Sequence, residues 1–232
     1  MQKRNSIEEA IESWKAGNPI LLYDSSNRES EIDMVYHASN VNPDAIYKLR
    51  NEAGGLICFA TSWEIARGLG LVWGDELIAK IPSLKPLTEK LLFYKDRPAF
   101  TIWVNHINVR TGISDNDRAL TMNELYKIVK LYIERRKEDA VKKFIEEFQA
   151  PGHVPLLAAR DLKERKGHTE LSIALSLLAK MEPATTFAEM LDFGISLSLE
   201  KAEKYARKMG YVLISGKEVL EACEGEKMCR SY

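Results

Sequence analysis

The stretch Ile20-Leu21-Leu22-Tyr23-Asp24-Ser25-Ser26-Asn27-Arg28-Glu29-Ser30-Glu31-Ile32-Asp33 passes from four apolar residues straight into a run crowded with charge. A short continuous apolar run bounded by turn formers reads as a buried strand. In an extended segment Glu29, Glu31 and Asp33 point to one side, because side chains alternate along a strand. Carboxylates converging there repel one another unless a cation or basic group stands between them. Hard oxygen ligands of this type suit Mg²⁺. On this segment alone, a solvated loop of mixed charge is the simpler reading.

Helical and strand signals alternate outward from this point. Ser6 with Glu9 is a capping box that opens a first helix, read over Met1 to Trp14. Asn42-Pro43 suits the N-cap and first position of a helix reaching Leu49. Gly54-Gly55 leads into a strand at Leu56 to Phe59, and Thr61 with Glu64 reads as a second capping box. Phe100 to His106 alternates as a strand does. Thr121 with Glu124 predicts the start of one long helix running to about Phe148, with Leu125, Ile128, Val129, Tyr132 and Ile133 on one face. Further elements are a helix over His168 to Met181, strands at Thr185 to Phe187 and Tyr211 to Ile214, a helix closed by Gly210, and a last helix capped by Ser215 and Glu218. The pattern is a mixed α/β or α+β domain whose strand order it does not give.

Composition narrows the function classes. The chain has 232 residues, 45% hydrophobic and 29% charged, with a formal net charge of −1. That balance gives no global attraction to nucleic acid or anionic membrane. The basic run Arg135-Arg136-Lys137, with Lys142-Lys143, reads as the solvated face of a helix. No segment approaches the roughly 18 consecutive apolar residues of a membrane span. Glu8, Glu9 and Glu12 interrupt any signal-like run at the N-terminus, so a cytoplasmic location is expected. Cys58, Cys223 and Cys229, odd in number and irregular in spacing, do not make a disulfide framework or a paired-CxxC zinc site.

Three more segments exceed what packing asks for. Phe148-Gln149-Ala150-Pro151-Gly152-His153 sets a Pro-Gly turn followed by a histidine, a position that suits a general base. Alone, such a histidine is more often packed or exposed without a role. Arg165-Lys166-Gly167-His168-Thr169-Glu170 opens an apolar helix. Free N–H groups at a helix start, two cations and a hydroxyl suit a phosphate, and His168 suits a metal. A basic loop with a threonine cap explains the same residues equally well. Arg110 to Arg118, dense in small and charged residues, is as readily a surface turn.

Taken together, the segments resemble one family. Arg28-Glu29-x-Glu31-x-Asp33, Gly54-Gly55-Leu56-Ile57-Cys58, Thr111-Gly112-Ile113-Ser114-x-x-Asp117-Arg118-Ala119, Pro151-Gly152-His153-Val154 and Gly167-His168-Thr169-Glu170 stand in the order seen in 3,4-dihydroxy-2-butanone 4-phosphate synthases. They spread from about Ile7 to Ile214, and the length fits the short, single-function form. The resemblance implies an α+β fold, a single-domain α/β sandwich of the dihydroxybutanone phosphate synthase type. The domain is expected over residues 1–223, with a frayed tail at 224–232. It also implies a lyase of riboflavin biosynthesis that takes D-ribulose 5-phosphate to 3,4-dihydroxy-2-butanone 4-phosphate and formate. By the same analogy Glu29 and His168 bind two Mg²⁺ ions, with Mn²⁺ possible, and Arg165, Lys166, Gly167, His168 and Thr169 hold the phosphate. Arg28 and Asp33 contact the sugar, Glu29 and Glu189 complete the substrate contacts, and His153, Glu189, Asp33 and Cys58 are the catalytic set. Cys58 is equally a small buried strand residue. The family is homodimeric, with the active site at the subunit interface.

The chain departs from the family pattern at Ser25-Ser26-Asn27, at Gln149, at Ala188 and over Asp192 to Leu197. The catalytic and ligand positions survive, so an active enzyme is expected. The competing readings are a catalytically silent paralogue that binds a sugar phosphate or a partner protein, and a phosphosugar enzyme sharing only the enolisation step.

Overall fold

Period-two alternation builds a sheet that is buried on both faces. In β1 (Ile20–Tyr23), Leu21 packs into one apolar cluster while Ile20 and Leu22 pack into the other. The same division separates Met34 from Val35 in β2 (Ile32–His37) and Phe59 from Cys58 and Ala60 in β3 (Cys58–Ser62). The computed structural model describes residues 6–226 and Cys229.

The remaining strands of this sheet are β4 (Phe100–His106), β5 (Phe148–Ala159) and β6 (Ala184–Glu189). A short hairpin of β7 (Leu191–Asp192) and β8 (Ile195–Ser196) stands apart, and β9 (Val212–Ser215) closes the sheet. Seven strands run in the order β4-β5-β3-β6-β2-β1-β9. The pairs β3–β5 and β1–β9 are parallel and the others antiparallel. One face is covered by α2 (Pro43–Lys48), α3 (Trp63–Gly68), α5 (Asp115–Ile133), α6 (Lys137–Glu147) and α8 (Leu199–Met209). The other is covered by α1 (Ile7–Lys15), α7 (His168–Leu178) and α9 (Gly216–Cys223). The short α4 (Gly74–Ala79) buries no residue. The expected α/β sandwich is therefore present, as helices on both sides of one mixed sheet. Among the described residues, no helix is long and apolar enough to cross a membrane.

Local caps formed largely where the sequence placed them. Ser6 and Glu9 make the reciprocal box of α1, Asn42 accepts the Ala45 N–H at 2.8 Å, and Ser215 and Glu218 cap α9. The part of the first helix expected over residues 1–5 lies outside the described residues. The expected tail is described only at Glu224–Glu226 and Cys229.

Five expectations are corrected. Thr121 is not a cap: α5 begins at Asp115 behind Ser114, and the Thr121 hydroxyl donates to the Asp117 carbonyl at 3.0 Å. The expected long helix is two helices, broken where Arg135 takes a φ of 63°. Ser62, not Thr61, caps α3. Cys223 and Cys229 form a disulfide that their count did not suggest. Lastly, Pro151-Gly152 does not set a turn between elements. It lies inside β5, where the register with β4 jumps from Val104↔Val154 to Asn105↔Gln149. Residues 150–153 thus bulge out of the ladder, and such bulges re-aim side chains. Here the bulge turns out His153. A Cβ on Gly152 would overlap the backbone of Val104 and Asn105. Gly152→Ala is expected to cost roughly 1–3 kcal/mol, the usual penalty of overpacking, read as a lowered melting temperature. An unchanged melting temperature would show that the strands can separate there freely.

Candidate active site

The apolar run Ile20–Tyr23 and the charged run that follows it meet at one carboxylate. Asp24, at the end of β1, is buried and accepts the N–H groups of Glu29 and Glu31, each at 3.0 Å. That folds residues 24–31 into a tight loop and returns the chain as β2. Asp33, the second residue of β2, pairs in register with Glu189 at the end of β6. Glu189 Oε2 accepts the Leu56 N–H at 2.8 Å. Gly55 donates to the Glu189 carbonyl at 2.9 Å, and a Cβ on it would lie 2.7 Å from that oxygen. Only glycine lets the chain pass this close.

Helix α7 delivers His168 to the same place. Gly167 has no side chain to cap the helix, and Glu170 reaches back to the Gly167 N–H at 3.1 Å. His168 is buried, with Nε2 against the Leu22 carbonyl at 3.1 Å and Nδ1 at 3.5 Å from Asp33 and 3.8 Å from Glu29. The carbonyl can only accept, so Nε2 carries a proton and donates it there.

These groups line a cavity of about 230 Å³ together with Cys58, Arg165 and Thr169. Its opposite wall is the segment from Lys90 to Phe100, including Tyr94 and Asp96. The charges in it are strongly coupled. Burial works against the charged His168 ring, but Asp33, Glu29 and Asp24 outweigh it and raise it to about 9. Burial raises Glu29, and His168 and Arg28 more than reverse this, holding it at about 2. Burial pushes Asp33 well up, and Glu189, Glu29 and Glu31 add to the push against His168. Glu189 is raised too, by burial and Glu31, against the Leu56 N–H. The Cys58 thiol is pushed well up by burial, Glu189 and Asp33, and stays protonated with its S–H on the Leu56 carbonyl at 3.3 Å.

The donor set fits a hard divalent cation. Ligand atoms of Asp24, Glu29 and His168 all lie within 4.8 Å of one another. Asp33 Oδ1 is buried with no hydrogen-bond partner. Donation of Nε2–H to a backbone carbonyl is the arrangement that turns a histidine's other nitrogen toward a metal. A second grouping, His106, Glu124 and Glu147, does not fit one. The Lys143 ammonium already pairs with Glu124 at 2.9 Å and with Glu147, and His106 Nδ1 accepts the Asn108 N–H at 3.2 Å.

A family model described as 3,4-dihydroxy-2-butanone 4-phosphate synthase matches residues 8–222. The chain belongs to this family. It is 40% identical over 224 residues to the 3,4-dihydroxy-2-butanone 4-phosphate synthase of Methanothermobacter thermautotrophicus, covering 93% of this chain and 95% of that one. It is 38% identical to the synthase of Archaeoglobus fulgidus, covering 93% and 92%. The solved synthase of Candida albicans matches with a TM-score of 0.70 at 26% identity, covering 94% and 97% of the two chains. A synthase structure in complex with two magnesium ions matches the fold with a TM-score of 0.75 at 23% identity, covering 97% and 99%.

Measured against the synthase pattern, the structure gathers Glu29, Asp33, Cys58, Arg165, His168, Thr169 and Glu189 around one cavity. Arg28 lies just behind Glu29, buried and ion-paired to it. Arg165 is ion-paired to the buried Glu170. Lys166 turns away, into a second cavity shared with Lys163, Lys217 and Glu221. Gly167 stands at the helix start without lining the cavity. His153 is exposed on its bulge, its N–H on Asn105 Oδ1 at 2.8 Å, and does not line the cavity of its own chain. Asp24, Tyr94 and Asp96 were missed. Asp24 directly follows the apolar run Ile20–Tyr23 and was legible as a carboxylate ending a strand. Tyr94 and Asp96 carry no local signal.

The departures are mostly remote. Ala188 pairs with Met34 and faces the apolar layer away from Glu189. Gln149 sits opposite Asn105 on the edge strand. Asp192 to Leu197 belongs to the β7–β8 hairpin, whose Ser196 hydroxyl donates to Glu31.

Proposed function

We propose that this synthase converts D-ribulose 5-phosphate to 3,4-dihydroxy-2-butanone 4-phosphate and formate, supplying riboflavin biosynthesis. The observation that carries the reading is the convergence of Glu29, Asp33, Glu189 and His168 on one cavity beside Arg165 and Thr169. The atoms of the sugar phosphate equal those of the two products, so no outside oxidant or reductant is needed. The first step is removal of a proton from the carbon beside the ketone. Glu189 and Asp33 are proposed to move protons, since carboxyls raised toward neutrality suit general acid–base work. Arg165 and Thr169, with the start of α7, hold the phosphate. Arg28 and Asp33 orient the sugar hydroxyls, and the neutral Cys58 thiol walls the cavity.

Glu29 and His168 would hold the cations, two Mg²⁺ by the family's pattern, with Mn²⁺ compatible with the same donors. When bound, such ions stabilise the enediolate charge as Lewis acids. His153 is proposed to act in a neighbouring copy of the chain. It is exposed and outside its own cavity. Around it β4 is one of the two edge strands of the sheet among the described residues, and Trp103, Ile107 and Ile113 are 50%, 54% and 53% exposed. An edge strand bearing large apolar groups is a natural surface to cover. A silent paralogue is not favoured, because the departures spare the cavity lining.

The test is formate release from ribulose 5-phosphate with Mg²⁺, against an EDTA-treated control. Formate is expected only with the metal. Folded protein that binds the substrate and releases none would overturn the reading.

A further inference from the structure

Arg28 is held by more acid than a neighbour of a metal ligand needs. Its Nη1 serves Asp24 at 3.2 Å and also Glu29. Its Nε donates to Asp96 at 2.7 Å, across 68 residues of sequence. The Tyr94 ring lies 4.8 Å under the guanidinium. Arg28 is 6% exposed, and its Nη2 is buried with no protein partner. Two residues of the Lys90–Phe100 wall thus grip the acidic loop from the far side of the cavity.

We propose that Asp96 is a positioning residue for the metal site, a latch that draws the Arg28 charge away from Glu29 and so frees Glu29 to take a cation. The inference rests on the metal role proposed for Glu29 and His168. The physical argument is one of shared charge. Arg28 carries one positive charge, and three carboxylates compete for it. With Asp96 in place, part of that charge is neutralised at Nε. Without it, the whole guanidinium charge falls on Asp24 and Glu29, where it both occupies the ligand oxygens and repels an incoming Mg²⁺. The latch also fixes the wall against the loop, so Glu29 stays where His168 Nδ1 and Asp33 can share its cation.

Mg²⁺ alone, titrated calorimetrically into the whole protein without substrate, tests this. Asp96→Asn keeps the shape and loses the charge. It is expected to weaken Mg²⁺ binding roughly tenfold, the range of a charge-assisted hydrogen bond. Asp96→Glu, which restores the charge, is expected to recover most of the affinity. Asp139→Asn, on the exposed face of α6, serves as the control and is expected to leave binding unchanged. In turnover, D96N should need more Mg²⁺ for half-maximal rate while kcat at saturating Mg²⁺ stays close to wild type. Asp96→Ser, which removes the charge with a smaller side chain, is expected to weaken Mg²⁺ binding by a similar factor and carries the test should D96N fold poorly. Equal Mg²⁺ affinity in wild type and a folded D96N, or D96E as weak as D96N, would overturn the latch alone. Wild-type protein that takes up no Mg²⁺ would overturn the metal reading and the latch together.

Discussion

His168→Ala is expected to lower formate release by roughly a thousandfold or more, the scale at which positioned acid–base and metal groups act, and to remove Mg²⁺ uptake. His168 is the one imidazole on the carboxylates of the site, with Nδ1 at 3.5 Å from Asp33 and 3.8 Å from Glu29. Its other nitrogen is fixed on the Leu22 carbonyl. Alanine deletes the nitrogen ligand and leaves Asp24, Glu29 and Asp33 facing one another, with Arg28 as the nearest cation. Glu29 then loses the first of the contacts that hold it at about 2. Like charges at this range favour proton uptake, and a protonated carboxyl is a poor metal ligand. Steady-state formate assays across a Mg²⁺ series, with calorimetry on the same preparation, read both effects. H168A turning over at a wild-type rate would sink the metal assignment, whatever its stability.

The local part of this structure was legible because its causes are local. Ser6 with Glu9, Asn42, and Ser215 with Glu218 each satisfy helix-end N–H groups from within three residues. The break between α5 and α6 was not legible. Glu134, Arg135 and Arg136 are ordinary helix residues, and the left-handed turn at Arg135 is imposed by the packing of two helices on the sheet. β2 escaped notice for a related reason. All six of its residues are buried, so Ile32 to His37 shows no polar alternation.

The site divides along the same line. Glu29, Asp33, His168 and Glu189 lie in short motifs, and strand register brings Asp33 and Glu189 side by side. Arg165 and Lys166 are neighbours in sequence, yet one lines the cavity and the other faces a different one. Charge content alone does not say which way a loop residue turns. Asp96 and Tyr94 sit in a stretch of irregular structure whose contribution exists only after the sheet has brought it over Arg28.

Two inactive variants, mixed, are expected to regain activity. His153→Ala and Glu189→Gln should each lose most formate release. In one chain these residues serve different places: Glu189 lines the cavity, and His153 stands outside it on the exposed β5 bulge. If His153 acts on a neighbour's cavity, a mixed dimer pairs the intact His153 of the Glu189→Gln chain with the intact Glu189 of the His153→Ala chain. The other cavity of that dimer carries both lesions. Random reassortment makes half the dimers mixed, each with one sound site of two, so activity should return to about one quarter of wild type. The partners must be allowed to exchange, which dilution and reconcentration provide. Neither variant alone should recover under the same handling. Recovery near one quarter would place His153 across the interface. Exchange confirmed by differently tagged chains, with no recovery, would put His153 in its own chain's service and require the bulge to fold back over the cavity.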